Sequence, residues 1–372
     1  MPIADPAEAR AWLRLIRTPE LGARGLRELR AAHGSAQTAA AAGPSAWRAA
    51  GLGEAAIAWL ARPDEAQIDA DLRWLEQPGH HLLSFDQTDF PPLLTQAPNP
   101  PAVLFVVGTI ELLWSAQIGI VGSRNASAGG RDNAREFAAA LADSGLTITS
   151  GLAEGVDAAA HQAAVDAGRP TIAVMGTGPD RIYPARHREL AHAIAASGAL
   201  VSEYPPGAGA RRDHFPRRNR IIAGLSLGVL VVEAAQQSGA LITARQAAEC
   251  GREVFALPGS IHNPLARGCH QLIRDGASLV TCAQDILDAL GPAALAQGAR
   301  LRERLAAETA TTVAADEDTD YAKLWAALGH DPLPIEVLAE RSGLTVAALS
   351  SMLLLLELEG RVAASHGRYA RR

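Results

Sequence analysis

The sequence has few cysteines and no long hydrophobic run. Its three cysteines (Cys250, Cys269 and Cys282) are widely spaced and form no CxxC pair, which argues against both a disulfide framework and a zinc site. The apolar runs are shorter than the roughly 20 residues that a membrane span needs. The N-terminal segment MPIADPAEARAW contains acidic residues and no apolar centre, unlike a signal peptide. We therefore expect a cytoplasmic protein without a membrane partner.

The sequence also lacks an excess of positive charge. Only 20% of its 372 residues are charged, and the formal net charge is −6. The chain as a whole is therefore not attracted to nucleic acid, so that any site for a polyanion must be a local patch. At 48% hydrophobic residues, the chain is long enough for two or three domains with a sizeable core.

Two common nucleotide-binding signatures are absent, since neither G-x-G-x-x-G nor G-x-x-x-x-G-K-[ST] occurs. In their place, residues 118–130 read IGIVGSRNASAGG. The apolar part suits a strand buried on both faces, and Gly122 permits a tight turn into a helix. We expect the backbone after Gly122 and the forked donor of Arg124 to hold an anion, helped by the positive end of the next helix. The alternative is an ordinary strand-to-helix turn with a surface arginine.

Strand and helix patterns alternate from residue 118 onward at roughly 30-residue spacing, which predicts a doubly wound parallel α/β sheet within residues 66–290. The predicted strands are Ile118–Val121, Leu146–Thr149, Thr171–Met175, Leu200–Ser202, Gly228–Val232 and Glu253–Leu257. Several of them end in small residues, including Gly122-Ser123, Ser150-Gly151 and Gly176-Thr177-Gly178. Because the carboxyl ends of parallel strands lie on one edge, we expect these turns to converge on one crevice.

Residues 1–65 are predicted to form a small helical domain that resembles a helix-hairpin-helix or sterile-alpha-motif bundle. The glycine hairpin at residues 19–25 and the segment after it have only Arg24, Arg27 and Arg30 as basic support, so we favour a protein-interaction role over a grip on the DNA backbone. The proline-rich stretch Phe90–Pro101 is predicted to be an extended connector, followed by one strand at Leu104–Gly108.

The strongest basic feature is residues 211–220, RRDHFPRRNR, with five arginines against one aspartate. Charge runs are often only solvated surface. This run, however, leads directly into the apolar Ile221-Ile222-Ala223, which anchors the arginines to a packed element. Arginines interleaved with Phe215 suit single-stranded nucleic acid, because guanidinium groups bind phosphates and the ring offers a stacking platform.

Residues 291–320 are rich in alanine, threonine and acidic residues, and are predicted to be a linker. Residues 321–372 are predicted to form a winged-helix domain. Its third helical segment, Ser342–Gly360, contains no lysine or arginine, so a DNA-reading role is not expected there. Backbone contacts through Arg361, Arg368, Arg371 and Arg372 remain an alternative to a role in protein interaction or self-association.

The segments GIVGSRNAS, SGLAEGVDAAAH, LVSEYPPG, HFPRRNRIIAGLS and GCHQLIRDGA occur in the order seen in DNA-processing protein A (DprA/Smf). The resemblance covers roughly residues 80–290. It implies an extended Rossmann-like domain, single-stranded DNA taken up in natural transformation as ligand, a homodimer, and loading of the RecA recombinase.

The same resemblance places DNA contacts at Arg124 and in the basic segment, at Arg217, Arg218, Asn219 and Arg220. We add Gly122, Ser123, Ser150, Gly151, Phe215, Ser238 and Gly239 to the predicted DNA-binding site. Three positions depart from the family pattern: His187 and His270 stand where asparagine is usual, and Ala185 stands where many relatives have lysine.

Catalysis is not expected, and neither a cofactor nor a metal is predicted. Asp157 and His161, spaced i and i+4, with Glu203 and Glu233 after strands, form a possible acid–base set, but a local Asp157–His161 hydrogen bond that steadies a glycine turn is the preferred interpretation. The competing function is that of the lysine-decarboxylase-like nucleotide phosphoribohydrolases. Their PGGxGTxxE loop is incomplete here, since Pro258-Gly259-Ser260 is not followed by that loop's glycines, threonine and glutamate.

Overall fold

The computed structural model describes residues 5–329, 331–358, 362–365 and 368–371. The chain divides into two compact units, Met1–Ala299 and Arg300–Arg372. Within the described ranges, no helix combines the length and the apolar character that crossing a membrane requires.

Six helices form the N-terminal domain, and their apolar faces share a core around Trp12, Leu13 and Leu29. They are α1 (Pro6–Ile16), α2 (Ala23–His33), α3 (Ala36–Ala41), α4 (Pro44–Ala49), α5 (Glu54–Ala61) and α6 (Glu65–Leu75). Helix α3 is a short alanine-rich helix that begins with a capping box at Ser35. Helix α6 is joined to the end of α1 by an ion pair of 2.5 Å between Arg17 and Asp71.

The three arginines considered for DNA in this domain all have protein partners. Arg24 pairs with Glu28 at 2.7 Å, and Arg30 pairs with Asp86 at 2.5 Å. Arg27 donates a hydrogen bond to the carbonyl of Pro100. Arg27 and Arg30 therefore attach α2 to loops of the following domain.

The second domain is built on a nine-stranded sheet with strand order β1-β2-β6-β5-β4-β3-β7-β8-β9. The strands are β1 (His80–Ser84), β2 (Val103–Gly108), β3 (Gln117–Val121), β4 (Thr147–Ser150), β5 (Thr171–Val174), β6 (Ala199–Ser202), β7 (Gly228–Val231), β8 (Glu253–Ala256) and β9 (Ser278–Leu279). Seven neighbouring strands pair in parallel, in the order β6-β5-β4-β3-β7-β8-β9. At the β6 edge, β2 and then β1 are added in antiparallel pairing. The predicted α/β Rossmann-like sheet is confirmed.

Helices cover both faces of this sheet and bury β3 to β7 completely. They are α7 (Pro92–Thr95), α8 (Ala128–Asp143), α9 (Val156–Asp166), α10 (Arg188–Ser197), α11 (His214–Leu225), α12 (Gly239–Glu249), α13 (Arg267–Arg274) and α14 (Ala283–Ala327). One face is packed by α11 and α12, and the other by α8 and α9. This two-sided cover explains the apolar strand sequences.

The switch point of the topology lies between β3 and β7. Along the chain, β3 is followed by β4, β5 and β6 on one side, and the chain then returns to add β7 on the other side. Connections that leave β3 and β7 diverge to opposite faces, and this opens a crevice beyond their carboxyl ends.

The sheet contains strands that were not predicted. The region before residue 118 was predicted to supply one strand, but it supplies the antiparallel pair β1 and β2, and β9 is added at the other edge. Helix α11 begins at His214 and carries most of the basic run.

Residues 291–320, which are predicted to be a linker, are helical, because α14 runs through the whole segment. Alanine and glutamate are strong helix formers, so the composition that resembles a linker also supports a helix. The exact domain boundaries stay a prediction.

The last unit is the predicted winged helix. It contains β10 (Leu333–Pro334), α15 (Ile335–Ser342), α16 (Val346–Leu358), β11 (Val362–Ser365) and β12 (Arg368–Arg371), with sheet order β10-β12-β11. Arg371 lies over the Trp325 ring, 4.6 Å from its centroid, so it serves the unit's own packing. Arg368 is exposed, whereas Arg361 and Arg372 lie outside the described residues.

Candidate nucleic-acid interface

A cavity of about 550 Å3 opens at the switch point, beyond the carboxyl ends of β3 and β7. The turn after β3 lines it with Gly122, Ser123 and Arg124, and the start of α12 lines it with Ser238 and Gly239. The N-terminal half of α11 also lines the cavity. The structure therefore brings together the glycine turn and the basic run, which are about 90 residues apart in sequence.

The turn after β3 is held by backbone hydrogen bonds to two neighbours. Ser123 donates its amide to the carbonyl of Glu233 at 2.7 Å, and its carbonyl accepts from the amide of Val156 at 3.2 Å. A Cβ atom at position 122 would lie 2.5 Å from a Val156 methyl carbon, so only glycine fits this approach. The exposed side chain of Arg124 is thereby fixed at the rim of the cavity.

The helix that follows this turn does not offer its N-terminus to an anion. Ser127 caps α8 by accepting from the amide of Gly130 at 3.0 Å. The Glu233 carboxylate accepts from the Ser127 amide at 2.9 Å and from its hydroxyl at 2.7 Å. The prediction that this helix end would help to hold an anion is wrong, because a carboxylate of the protein already occupies it.

The basic run divides into exposed and internal arginines. Arg211, Arg212 and Arg217 are exposed, and Arg212 lines the cavity together with Asn219. Arg211 has a single weak partner, Asp213, at 3.4 Å. These exposed guanidinium groups are available to phosphates.

Arg218 is buried, with 3% of its surface exposed. It donates to the carbonyl of Gly151 at 2.6 Å and also to the carbonyl of Val174. A Cβ atom on Gly151 would overlap this guanidinium. Burial lowers the Arg218 pKa to about 10, against the opposing effect of Asp157. Its principal contacts therefore join α11 to the ends of β4 and β5.

Arg220 is likewise engaged within the protein. Two hydrogen bonds of 2.6 and 2.9 Å join it to the carboxylate of Glu203. Burial raises the pKa of Glu203, and the neighbouring Arg220 opposes this rise. Glu203 is therefore an ion-pair partner that fixes α11 to the end of β6.

Of the remaining predicted residues, Ser150 lies inside the sheet, whereas Ser238 and Gly239 line the cavity. Ser150 is completely buried and donates to the carbonyl of Ile120 at 2.6 Å, so it ties β4 to β3. Ser238 caps α12 by accepting from the amide of Ala240 at 3.2 Å, and Gly239 is exposed at the cavity. The positive end of the α12 dipole thus faces the site where an anion is expected.

Phe215 lies at the centre of the interface and is partly exposed. The Arg124 guanidinium carbon lies 5.5 Å from its ring centroid, which is a cation–π distance. On another side, the ring packs on Gly176. Tyr183, which was not among the predicted site residues, has its ring centroid 5.4 Å from that of Phe215. The sequence feature that points to Tyr183 as a site residue is its position in the loop after the Gly176–Gly178 turn.

The suspected acid–base pair is not formed. His161 Nδ1 lies 2.8 Å from the hydroxyl of Thr171, so the predicted Asp157–His161 hydrogen bond is wrong. Asp157 does steady the second glycine turn, by accepting from the amides of Gly151 and Ala153 at 3.2 and 3.4 Å. Burial lowers the His161 pKa to about 3, which keeps the imidazole neutral at physiological pH.

The histidines that depart from the family pattern contact backbone carbonyls. His187 Nδ1 lies 2.9 Å from the carbonyl oxygen of Leu152, and His270 Nε2 lies 3.0 Å from that of Gly259. Cys250, Cys269 and Cys282 are free thiols. Among the residues with described positions, no group of three or more His, Cys, Asp or Glu side chains is arranged to hold a metal ion.

The fold defines the class of the protein: a Rossmann-like α/β domain with a helical domain before it and a winged-helix domain after it. The profile of the family described as "DNA recombination-mediator protein A" matches residues 81–291. Profiles for a "DprA-like N-terminal HHH domain" and a "DprA winged helix domain" match residues 6–70 and 307–368. The chain belongs to the DNA recombination-mediator protein A (DprA/Smf) family.

Named relatives agree with this assignment. The chain is 46% identical over 307 residues to Protein Smf of Escherichia coli, covering 82% of this chain and 80% of that protein. It is 47% identical over 194 residues to DNA processing protein DprA of Streptococcus pneumoniae, covering 52% of this chain and 68% of that protein.

Solved structures are similar as well. The X-ray structure of DNA processing protein A from Streptococcus pneumoniae superposes with a TM-score of 0.67 and 34% identity, covering 75% of this chain and 97% of that chain. A structure described for its single-stranded DNA binding mode, DNA processing protein A from Helicobacter pylori, has a TM-score of 0.51 and 28% identity, covering 54% and 92% of the two chains.

Proposed function

We propose that this protein binds single-stranded DNA in the switch-point cavity during natural transformation, protects the incoming strand, and helps to load the RecA recombinase onto it. The observation that carries the proposal is the cavity itself. Exposed arginines surround two adjacent aromatic rings at the carboxyl edge of the sheet, in a chain of negative net charge.

The contacts support a single strand as the ligand. Arg124 and Arg212 line the cavity, and Arg217 is exposed on α11, so these guanidinium groups can bind phosphates, whereas the rings of Phe215 and Tyr183 offer faces only to unpaired bases. In a duplex, the bases are already stacked on each other and turned inward. The Helicobacter pylori relative, whose structure is described for single-stranded DNA binding, supports the same choice.

Binding is tested by fluorescence anisotropy with a labelled single strand and with the matching duplex, at two salt concentrations. We expect tighter binding of the single strand, and weaker binding of both ligands at the higher salt concentration. Arg124→Ala should weaken binding to every sequence alike. The matched control is Arg169→Ala, an exposed arginine paired with Asp143 just before β5, at the opposite edge of the sheet. Equal binding of duplex and single strand would contradict the proposal.

The roles with RecA and as a homodimer are proposals that rest on the family resemblance. Loading is tested by RecA ATPase activity on DNA already covered by a single-strand-binding protein. Addition of this chain should shorten the lag, and Arg124→Ala should restore it. The mass in solution, measured by light scattering, should correspond to two chains. If the chain is a monomer and still shortens the lag of RecA, the loading proposal stands and the homodimer proposal is wrong.

A further inference from the structure

The loop between β6 and α11, residues 203–213, carries two exposed arginines of the basic run, Arg211 and Arg212. Its two ends are joined by a pair of rings, because Tyr204 and His214 stack with centroids 3.8 Å apart and planes inclined by 12°. With the ends fixed in this way, the position of the arginines depends on how the chain between them is held.

The neighbouring loop, which follows β5, holds the middle of this loop. Gly207 donates its amide to Asp180 Oδ1 at 2.7 Å, and Gly178 donates its amide to the carbonyl of Ala208 at 2.8 Å. A Cβ atom at position 178 would lie 2.4 Å from the carbonyl oxygen of Pro205, so only glycine permits this approach. The loop is thereby attached to the carboxyl edge of the sheet just before its arginines.

The N-terminal domain contacts the same loop through Arg17, the residue after the last turn of α1. Its guanidinium donates to the carbonyl of the buried Pro206 at 2.8 Å. Two further hydrogen bonds, of 2.5 and 2.7 Å, join it to the carboxylate of Asp71 on α6. One guanidinium therefore links two helices of the N-terminal domain to the loop that carries Arg212.

The Arg17 guanidinium is held in one orientation. A carboxylate that accepts two N–H groups of the planar fork fixes its plane, and Asp71 is only 1% exposed. Behind this pair, Trp74 of α6 packs against Phe105 of β2 with ring centroids 6.1 Å apart, within a core that the helices share with the sheet. Arg17 thus reaches the loop from a fixed base. It lies outside the lining of the cavity, whereas Arg212 is part of it.

We propose that Arg17 is a positioning residue of the DNA-binding site, through which the helical N-terminal domain fixes the segment that carries Arg211 and Arg212. This inference rests on the proposed function and deepens it, since it gives the N-terminal domain a part in single-strand binding without a contact to the strand.

The test removes the contact without leaving a charge buried. Arg17→Met combined with Asp71→Leu, the paired variant, replaces the ion pair by apolar side chains, a change that buried pairs often tolerate. The matched control is Arg10→Met, because Arg10 joins the same two helices through ion pairs with Glu65 and Asp69. Urea denaturation establishes that both proteins are folded under the binding conditions.

Fluorescence anisotropy with oligothymidylate over a series of salt concentrations measures the effect. The paired variant should bind about 2- to 10-fold more weakly than the native chain. Its slope of log affinity against log salt should fall by up to about 0.7 for each arginine displaced. A merely structural loss would lower the fraction of active protein and leave the slope unchanged. Arg10→Met should keep the native affinity and slope.

A double-mutant cycle tests whether the effect passes through the loop. In a chain that already has Arg211→Ala and Arg212→Ala, the changes at Arg17 and Asp71 should have no further effect on affinity or slope. In a chain with Arg124→Ala they should keep their full effect. An equal loss in both backgrounds would overturn the positioning role, because Arg17 would then act on the strand by another route.

Hydrogen exchange followed by NMR reports the loop without DNA. The Gly207 amide should exchange faster in the paired variant than in the native chain, whereas the Val232 amide, which is bonded to the carbonyl of Val121, should be unchanged. An unaltered Gly207 amide, or native affinity and slope in the paired variant, would overturn the inference while leaving single-strand binding intact. Failure of the native chain to bind any single strand would overturn the proposed function and the positioning role with it.

Discussion

Arg217 and Arg218 are adjacent in sequence but lie in different environments. Arg217 is exposed, whereas Arg218 is buried and donates to the carbonyls of Gly151 and Val174. Successive side chains of an α-helix are rotated by about 100°, so neighbouring residues of α11 point in different directions. The family resemblance assigns both to DNA, whereas the contacts assign Arg218 a positioning role beneath the cavity.

This difference predicts opposite results for two substitutions. Arg217→Ala should lower the slope of log affinity against log salt by about 0.7, because one phosphate contact is lost, with an unchanged melting temperature. Arg218→Gln should lower the free energy of unfolding by about 3 kcal/mol, because buried carbonyls lose their donor. Salt titrations and urea denaturation distinguish the two. A reduced salt slope for correctly folded Arg218→Gln would restore its assignment to the phosphate site.

His161 predicts a pH dependence of stability. Its folded pKa of about 3 lies below the ordinary value of 6.5, so the unfolded chain binds the extra proton between these values. Stability is therefore retained above the ordinary pKa and is lost as pH falls below it. Between about pH 7.5 and about pH 5, this group should cost about 2 kcal/mol.

Urea denaturation at the two pH values checks this prediction. His161→Asn, which keeps a donor for Thr171, should show a smaller loss of stability on acidification than the native chain. The difference between the two proteins isolates His161 from the other titrating groups. An identical loss in both would remove His161 as the cause.

At the scale of elements, Glu233 connects three parts of the sheet edge. From the end of β7, its carboxylate reaches the N-cap of α8 at Ser127 and the side chain of Asn263, 3.3 Å away. A carboxylate at a helix N-terminus is favoured by both the free amides and the dipole. In this arrangement Glu233 stabilises the edge that carries the Arg124 turn.

Substitution of Glu233 should therefore affect stability, and we expect no chemistry to depend on it. Glu233→Gln should lower the free energy of unfolding by about 1–2 kcal/mol. The control is Glu136→Gln, an exposed change on α8, the helix whose N-terminus Glu233 contacts, and it should leave the free energy of unfolding unchanged. The native chain should release no base from nucleoside monophosphates in a chromatographic assay. Base release that scales with protein and disappears in Glu233→Gln would favour the nucleotide phosphoribohydrolase alternative.

At the scale of the whole molecule, binding of a polyanion by an acidic chain must be local. The net charge is −6, yet four arginines of the turn after β3 and of the basic run are exposed: Arg124, Arg211, Arg212 and Arg217. If all four contact phosphates, the slope of log affinity against log salt for a single strand should be about −3. An anisotropy titration over a series of salt concentrations measures it. A slope near zero would show that phosphate contacts do not dominate binding.

The sequence by itself determined the sheet and its edge. All six predicted strands are present, because apolar runs bounded by glycine turns specify strands buried on both faces. The convergence of the turns at Gly122 and Gly151 also followed from sequence, since the carboxyl ends of parallel strands share an edge. The helical conformation of residues 291–320 did not follow from sequence, because one composition serves both a flexible segment and a helix.

Only the tertiary structure decided which side chains reach the crevice. Sequence shows that Arg217, Arg218 and Arg220 are basic, but burial and partners depend on how α11 is rotated against the sheet. Arg218 and Arg220 lie toward Gly151 and Glu203, groups that are remote in the chain. Tyr183 comes to lie beside Phe215 for the same reason. Local pattern specifies which elements form, whereas contacts between distant segments specify which face of each element meets the ligand.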